Sequence, residues 1–204
     1  AKLTLPALRR WDTSTSRGVD RFVAISTEVS HRIRATYGRG SEIVFPPVDV
    51  KRFRVDRAVG DYFLVVSRLN AYKRIDLAVD AFTRLGIRLK IVSTGGRDLA
   101  ALRARAGRNV EFVGTVSDWE LKELYARCRG YVFPGEEDFG IAPVEALAAG
   151  APVVAYGAGG ALDFIEPEVN GVLCPEQDAA AFADAMKAAR AADWDTVQVR
   201  RSAE

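Results

Sequence analysis

DYFLVVSRLNAYKRIDLAVDAFTRLGIRLKIVST, residues 61–94, holds two short apolar runs with one amphipathic stretch between them. The first run, DYFLVVS (61–67), is rich in branched and aromatic residues and bounded by polar ones. That pattern fits a strand buried on both faces. In RIDLAVDAFTRLG, residues Ile75, Ala78, Val79, Phe82 and Leu85 recur at helical spacing, and Gly86 is placed to stop the helix. RLKIVST (88–94) is then a second strand. A strand, a helix and a strand with such short connections make a parallel crossover unit.

The same alternation continues downstream. DLAALRARAG reads as a helix, NVEFVG (109–114) as a strand, and SDWE (117–120) as a capping box with Ser117 as N-cap and Glu120 at N3, opening a helix through LKELYARC. GYVFP (130–134) is a fourth strand, IAPVEALAAG a helix closed by Gly150, and APVVAY a fifth strand. GAGG (157–160) precedes a short helix, and NGVLC (170–174) reads as a last strand at an edge. DAAAFADAMKAARAA is amphipathic, and WDTVQVRRSAE starts one more helix. The expected fold class is α/β, a Rossmann-like doubly wound parallel sheet with helices on both faces. Ligands in such folds bind beyond the carboxyl ends of the strands.

Residues 1–50 read differently: a polar helix, strand RFVAIS (21–26), helix TEVSHRIRATYG and strand EIVFPP (42–47). The expected organisation is a segment closing a preceding domain at 1–50, a linker at 51–60 with few core-forming residues, and the Rossmann-like domain at 61–204. No Met opens the chain, which suggests a start inside a longer gene product, or trimming.

No stretch approaches the ~18 uninterrupted apolar residues of a membrane span. Cys128 and Cys174 stand far apart without metal-ligand neighbours and read as thiols of a reducing compartment. The single His31 lies in a polar helical stretch, so no obvious general base is present. Residues 1–57 hold 12 Lys+Arg against 6 Asp+Glu, and the remainder 17 against 21. The basic arm suits an anionic lipid or ligand, or is a plain solvated surface. No aromatic-interleaved basic stripe argues for nucleic acid.

Four features converge on strand C-termini. SRLNAYKR (67–74) carries Arg68, Lys73 and Arg74 within seven positions. A solvated turn would accommodate them, but cations beside a helix N-terminus oppose its macrodipole, which favours an anionic ligand such as a diphosphate. STGG (93–96) and GAGG (157–160) are glycine pairs between strand and helix; neither satisfies GxGxxG, so a dinucleotide fingerprint is absent. Phe139, Gly140, Ile141 and Ala142 would present backbone N–H groups at a helix start, where Pro143 is tolerated. Glu145 in that helix could simply favour the dipole. Dipole compensation does not explain Glu136, Glu137 and Asp138 in a row just before it, and carboxylates accept hydrogen bonds from polyols. Last, FVGTVSDWE (112–120) ends a strand in a loop where a base could sit.

Glu137 and Glu145 in E-x7-E, inside EEDFGIAPVEALAAGAPVVA, with VSRLNAYKR upstream and FVGTVSDWELKELYARC between, resemble the donor-binding half of retaining GT-B glycosyltransferases of the large group 1 family. PGEEDFGIAPVEA and YGAGGALDFI are most similar to its bacterial mannosyltransferase branch, which uses GDP-mannose. The resemblance covers roughly residues 20–200. It implies that Arg68 and Lys73 bind the donor diphosphate and that Glu137 holds hydroxyls of the transferred sugar. It implies too that Gly95 and the backbone of Phe139, Gly140, Ile141 and Ala142 contact the donor, that Glu145 binds the ribose, and that residues near Val116 flank the base. Arg68, Lys73 and Glu137 would be the catalytic set, with no metal and no cofactor beyond the nucleotide-sugar substrate.

The sequence departs from the family at three places. Asp163 stands where Glu is usual, STGGRD replaces the commoner GxGP pattern, and the acceptor-binding N-terminal domain is represented only by its final segment. The intact enzyme implied would transfer a hexose, mannose first, with retention to a lipid- or polysaccharide-linked acceptor, in the cytoplasm and at the inner face of the membrane. The chain alone is expected to bind donor weakly and transfer poorly. The alternatives are an epimerase-like GT-B enzyme acting on a nucleotide sugar, and a non-catalytic binding fragment.

Overall fold

The first and fourth strands of the Rossmann-like stretch pair with each other, although two strands separate them in sequence. The structure, a computed structural model, describes residues 4–55 and 58–204. It divides into two compact units, Ala1–Pro46 and Pro47–Glu204. Asp56 and Arg57, within the expected linker, lie outside the described residues, as do residues 1–3.

The first unit holds helix α1 (Thr4–Thr15), strand β1 (Val23–Ala24), helix α2 (Thr27–Tyr37) and strand β2 (Glu42–Ile43). The Ser26 side chain caps α2 by accepting from the Val29 N–H at 3.1 Å, and Gly38 closes it at φ 66°. β1 and β2 pair in parallel with Val23 opposite Glu42. Both strands are two residues long, against six expected for each. A strand persists only while its backbone groups find partners, and the prolines at 46 and 47 have no N–H to offer. α1 is the polar helix expected, and its apolar residues Leu5, Leu8 and Trp11 are exposed.

In the second unit, β3 (Tyr62–Val66), β4 (Arg88–Val92), β5 (Val110–Gly114), β6 (Gly130–Phe133), β7 (Val153–Tyr156) and β8 (Gly171–Cys174) form one parallel sheet in the order β5-β4-β3-β6-β7-β8. Helices α3 (Ile75–Leu85), α4 (Leu99–Arg105) and α7 (Ala179–Ala191) supply one layer, and α5 (Asp118–Arg127), α6 (Ile141–Ala148) and α8 (Thr196–Arg201) the other. β3 shows why its sequence is continuously apolar. Phe63 and Val65 point into the α3 layer, while Tyr62 and Leu64 point into the α6 layer. The α5 capping box forms as the sequence predicts, with Ser117 and Glu120 exchanging bonds at 2.8 and 3.2 Å. β8 takes the expected edge, and the helix after GAGG is a 3₁₀ turn, Gly159–Asp163.

The connector carries more core than its composition predicts. Phe53 is buried and meets the Tyr125 ring edge-on at 5.8 Å between centroids. Its anchor is Arg200 on α8, which donates to the carbonyls of Phe53 and Ala148, both at 2.8 Å, and of Val50 at 2.9 Å. One guanidinium thus closes three carbonyls, that of Phe53 in the connector, that of Val50 just before it and one at the end of α6. Arg200→Ala should lower stability by about 2–4 kcal/mol, read as an earlier urea midpoint together with loss of Phe53–Tyr125 cross-peaks in NMR.

Candidate functional site

Between β3 and β6 the strand order reverses, so the chain leaves the two strands toward opposite faces and a gap opens above their C-terminal ends. A cleft of about 330 Å³ occupies it. Ser67, Arg68, Tyr72 and Lys73 enter from the β3 side, and Pro134, Glu137, Gly140, Ile141 and Ala142 from the β6 side. Buried Tyr131 lies at the base, its hydroxyl donating to the Val66 carbonyl at 3.0 Å. Burial pushes that phenol far above its ordinary range, so it stays protonated.

Lys73 ends a 3₁₀ turn (Ala71–Lys73), its N–H donating to the Asn70 carbonyl at 2.9 Å. The ammonium lies 5.0 Å from the Tyr72 ring centroid and pairs with Glu137 Oε2. The two side chains are only 17% and 21% exposed, so the pair is sheltered within the cleft. Arg68 is exposed and, among the described residues, its guanidinium has no hydrogen-bond or ion-pair partner. The third cation of the stretch behaves differently. Arg74 adopts φ 51° and spends its guanidinium on Asp76 at 3.1 and 3.3 Å and on Gln177 at 3.1 Å. Gln177 in turn donates to the Pro134 carbonyl at 3.1 Å. Arg74 therefore locks the two strand exits together and does not line the cleft.

α6 starts at Ile141 after Gly140 with no side-chain cap. Its first-turn N–H groups, which lack intrahelical acceptors, belong to residues that line the cleft. The loop before it rests on GAGG. Gly159 has φ 63°, and the Gly160 N–H donates to the Glu137 carbonyl at 2.8 Å. A Cβ on Gly160 would collide with Phe139 Cα. This glycine pair supports the backbone that carries Glu137. In STGG, Gly96 passes under the Leu69 carbonyl just as closely, whereas Gly95, at φ 104°, has open space where its Cβ would be.

The remaining expected residues are not among those that line the cleft. Phe139 is buried, edge-on to Phe164 at 5.7 Å. Glu145, in the second turn of α6, is half-buried and accepts the Tyr125 hydroxyl at 3.0 Å. Burial raises its carboxyl above the ordinary value, the Tyr125 bond and the charge of Arg52 pull it back, and Asp118 adds to the rise. Val116 and Gly95 are not among the cleft's lining residues; Val116 borders a separate depression beside Trp119 and Lys90. Tyr72, Tyr125 and Tyr131 were not singled out from the sequence. Two of them sit in apolar or helical runs that read as core, and Tyr72 stood in a quoted motif without a stated role.

The model of a family described as "Glycosyl transferases group 1" matches residues 51–193. Among curated proteins, the chain is 34% identical over 138 residues to an O-antigen chain mannosyltransferase C of Escherichia coli, covering 63% of this chain and 37% of that protein. It is 29% identical over 180 residues to a human alpha-1,3/1,6-mannosyltransferase, covering 72% and 43%. A GDP-mannose-dependent alpha-mannosyltransferase of Mycobacterium tuberculosis is 39% identical over 111 residues, covering 54% and 29%. The matched stretches thus span less than half of each relative. Among solved structures, the Anabaena protein HepE in complex with UDP and glucose aligns with a TM-score of 0.79 at 21% identity, over 96% of this chain and 59% of that one. A Thermosynechococcus elongatus sucrose-phosphate synthase aligns at 0.77 and 24%, over 96% and 54%. These structures share the fold.

Two substitutions test the geometry. Gly160→Ala should cost about 1–3 kcal/mol in urea unfolding and shift the amide signals of residues 137–140 while leaving those of β4 and β5 in place. Glu145→Gln tests the buried carboxyl. A carboxyl raised in the fold gives the native state the extra proton between its ordinary pKa, about 4.3, and the raised one. Stability therefore falls as pH climbs through that window and stays lower above it. The glutamine keeps an acceptor for Tyr125 without this loss, so its melting temperature at neutral pH should equal or exceed that of the parent.

Proposed function

Since the chain belongs to the group 1 glycosyl transferases, we propose that its Pro47–Glu204 unit binds the nucleotide-sugar donor of a hexosyltransferase, with GDP-mannose as the donor. The observation that carries the reading is the meeting, in one cleft at an uncapped helix start, of an unpartnered cation, Arg68, with the Lys73–Glu137 ion pair. Cations beside first-turn N–H groups suit a diphosphate. A carboxylate at the same place suits sugar hydroxyls. The volume, about 330 Å³, falls in the range of about 300–1,000 Å³ usual for small-molecule clefts.

In this reading Lys73 exchanges Glu137 for a phosphate oxygen when the donor enters, which frees Glu137 to accept hydroxyls of the hexose. Arg68 takes a second phosphate oxygen. Glu145 accepts the ribose hydroxyls. The bond from the sugar's anomeric carbon to the diphosphate then breaks, its electron pair leaving with the diphosphate, where Arg68, Lys73 and the α6 N–H groups stabilise the charge. A bond forms from the acceptor hydroxyl oxygen to the same face of that carbon, and the acceptor proton passes to a donor phosphate oxygen. No protein base is needed, and His31 lies in the other unit on α2. Mannose is favoured by the three sequence relatives described above, all mannosyltransferases and one of them GDP-mannose-dependent. The acceptor, a glycan or a lipid-linked sugar, would be held by a partner domain. Holding both substrates in register contributes about 7–11 kcal/mol, so this chain alone should transfer far more slowly than an intact enzyme.

Calorimetric titration of the chain with GDP, GDP-mannose, UDP and UDP-glucose, repeated with Lys73→Ala, tests the reading. Saturable binding of the guanine pair, weakened at least tenfold by the substitution, about 1.4 kcal/mol, is expected. Preference for the uracil pair would overturn the mannose assignment, and binding unaffected by Lys73→Ala would overturn the diphosphate site.

A further inference from the structure

Tyr125 is fully buried on α5, between the Phe53 ring at 5.8 Å and the Tyr131 ring at 6.0 Å. A ring in such surroundings packs as well without its hydroxyl, and a buried hydroxyl must be paired to be tolerated. Tyr131 meets that demand with backbone, at Val66. Tyr125 meets it with a carboxylate, donating to Glu145 Oε2 at 3.0 Å. Among the described residues, this is the only hydrogen bond of the Tyr125 hydroxyl and the only side-chain bond of Glu145.

A core tyrosine that needed only an acceptor would be served by a neutral side chain or a carbonyl. A half-buried carboxylate is the unfavourable choice, because burial works against its charge. The arrangement makes sense when the carboxylate is what must be held. One oxygen accepts from Tyr125, and among the described residues Oε1 has no protein donor. The charged neighbour that could claim it, Arg52, is engaged by Asp118 at 2.6 Å, and Asp118 also takes Lys122 at 2.6 Å. We propose that Tyr125 is a positioning residue, which fixes the Glu145 carboxylate so that its remaining oxygen accepts the vicinal hydroxyls of the donor's ribose. The assignment rests on the ribose role proposed above for Glu145.

The groups facing Glu145 are Tyr125 and Asp118 on α5, Tyr131 on β6 and Arg52 of the connector. Of these, only Tyr125 is bonded to it. Removing the hydroxyl removes a donor that favours the carboxylate, so the Glu145 titration midpoint should rise. The charged form accepts from ribose hydroxyls more strongly than the neutral one, so the acid limb of nucleotide binding should move to higher pH.

The test measures GDP and 2′,3′-dideoxy-GDP binding to the chain, to Tyr125→Phe, to Glu145→Gln and to the double variant, with the Glu145 carboxyl titrated by ¹³C NMR without ligand. Tyr125→Phe should weaken GDP about tenfold, leave the dideoxy nucleotide unchanged, and raise the Glu145 midpoint. It should add nothing in the Glu145→Gln background. Equal weakening of both nucleotides would make Tyr125 merely structural and overturn the proposal, as would an unmoved Glu145 midpoint. If the unsubstituted chain bound neither nucleotide, the donor-site reading itself would fall, a result distinct from binding that is insensitive to Tyr125→Phe.

Discussion

The Lys73–Glu137 ion pair spans the point where the sheet reverses its strand order. Arg74, Gln177 and the GAGG loop brace the two sides of the cleft around it. Lys73 leaves β3 and Glu137 leaves β6, strands adjacent in space but nearly seventy positions apart in the chain. Arg74 and Gln177 tie the same two exits together one step further along. Because the pair is sheltered, neither charge is fully hydrated, and each is held in part by the other. An entering anion would therefore meet a cation already stripped of much of its water.

The support for the Glu137 side is steric. The Glu137–Phe139 backbone lies directly on Gly159 and Gly160, and the Glu137 carbonyl accepts from the Gly160 N–H. A side chain at either position would lift the loop off the sheet. Glycine here serves protein-to-protein approach, and the backbone groups it leaves available are those of α6, where Gly140 precedes an uncapped helix. The division of labour is that GAGG fixes the loop's height while α6 presents its N–H groups.

Glu145 shows the opposite balance. Its carboxyl is placed where burial raises its pKa, and Tyr125 offsets only part of that effect. A carboxylate is the costly acceptor to bury beneath a core tyrosine, because burial works against its charge. The same α6 therefore starts without a side-chain cap and carries an unfavourable carboxylate one turn later.

The α/β architecture was legible in the alternation of short, branched and aromatic apolar runs such as Tyr62–Val66 with helical spacing such as that of Ile75, Ala78, Val79 and Phe82. The capping box at Ser117 and Glu120 was legible too, because its geometry is local. What depended on distant partners was not. Phe53 became core, and the connector was pinned, only because Arg200 arrives from 147 positions away. Arg74 looked like a third phosphate cation until Gln177, 103 positions on, claimed it. β1 and β2 shortened for want of neighbours to pair with. Glu137 and Glu145 stood out in sequence as acids around a turn, but only the tertiary structure gave one a lysine and the other a buried tyrosine. A sequence records which side chains can bear charge; which charge is answered, and by what, is set by contacts between residues that the chain brings together only when it folds.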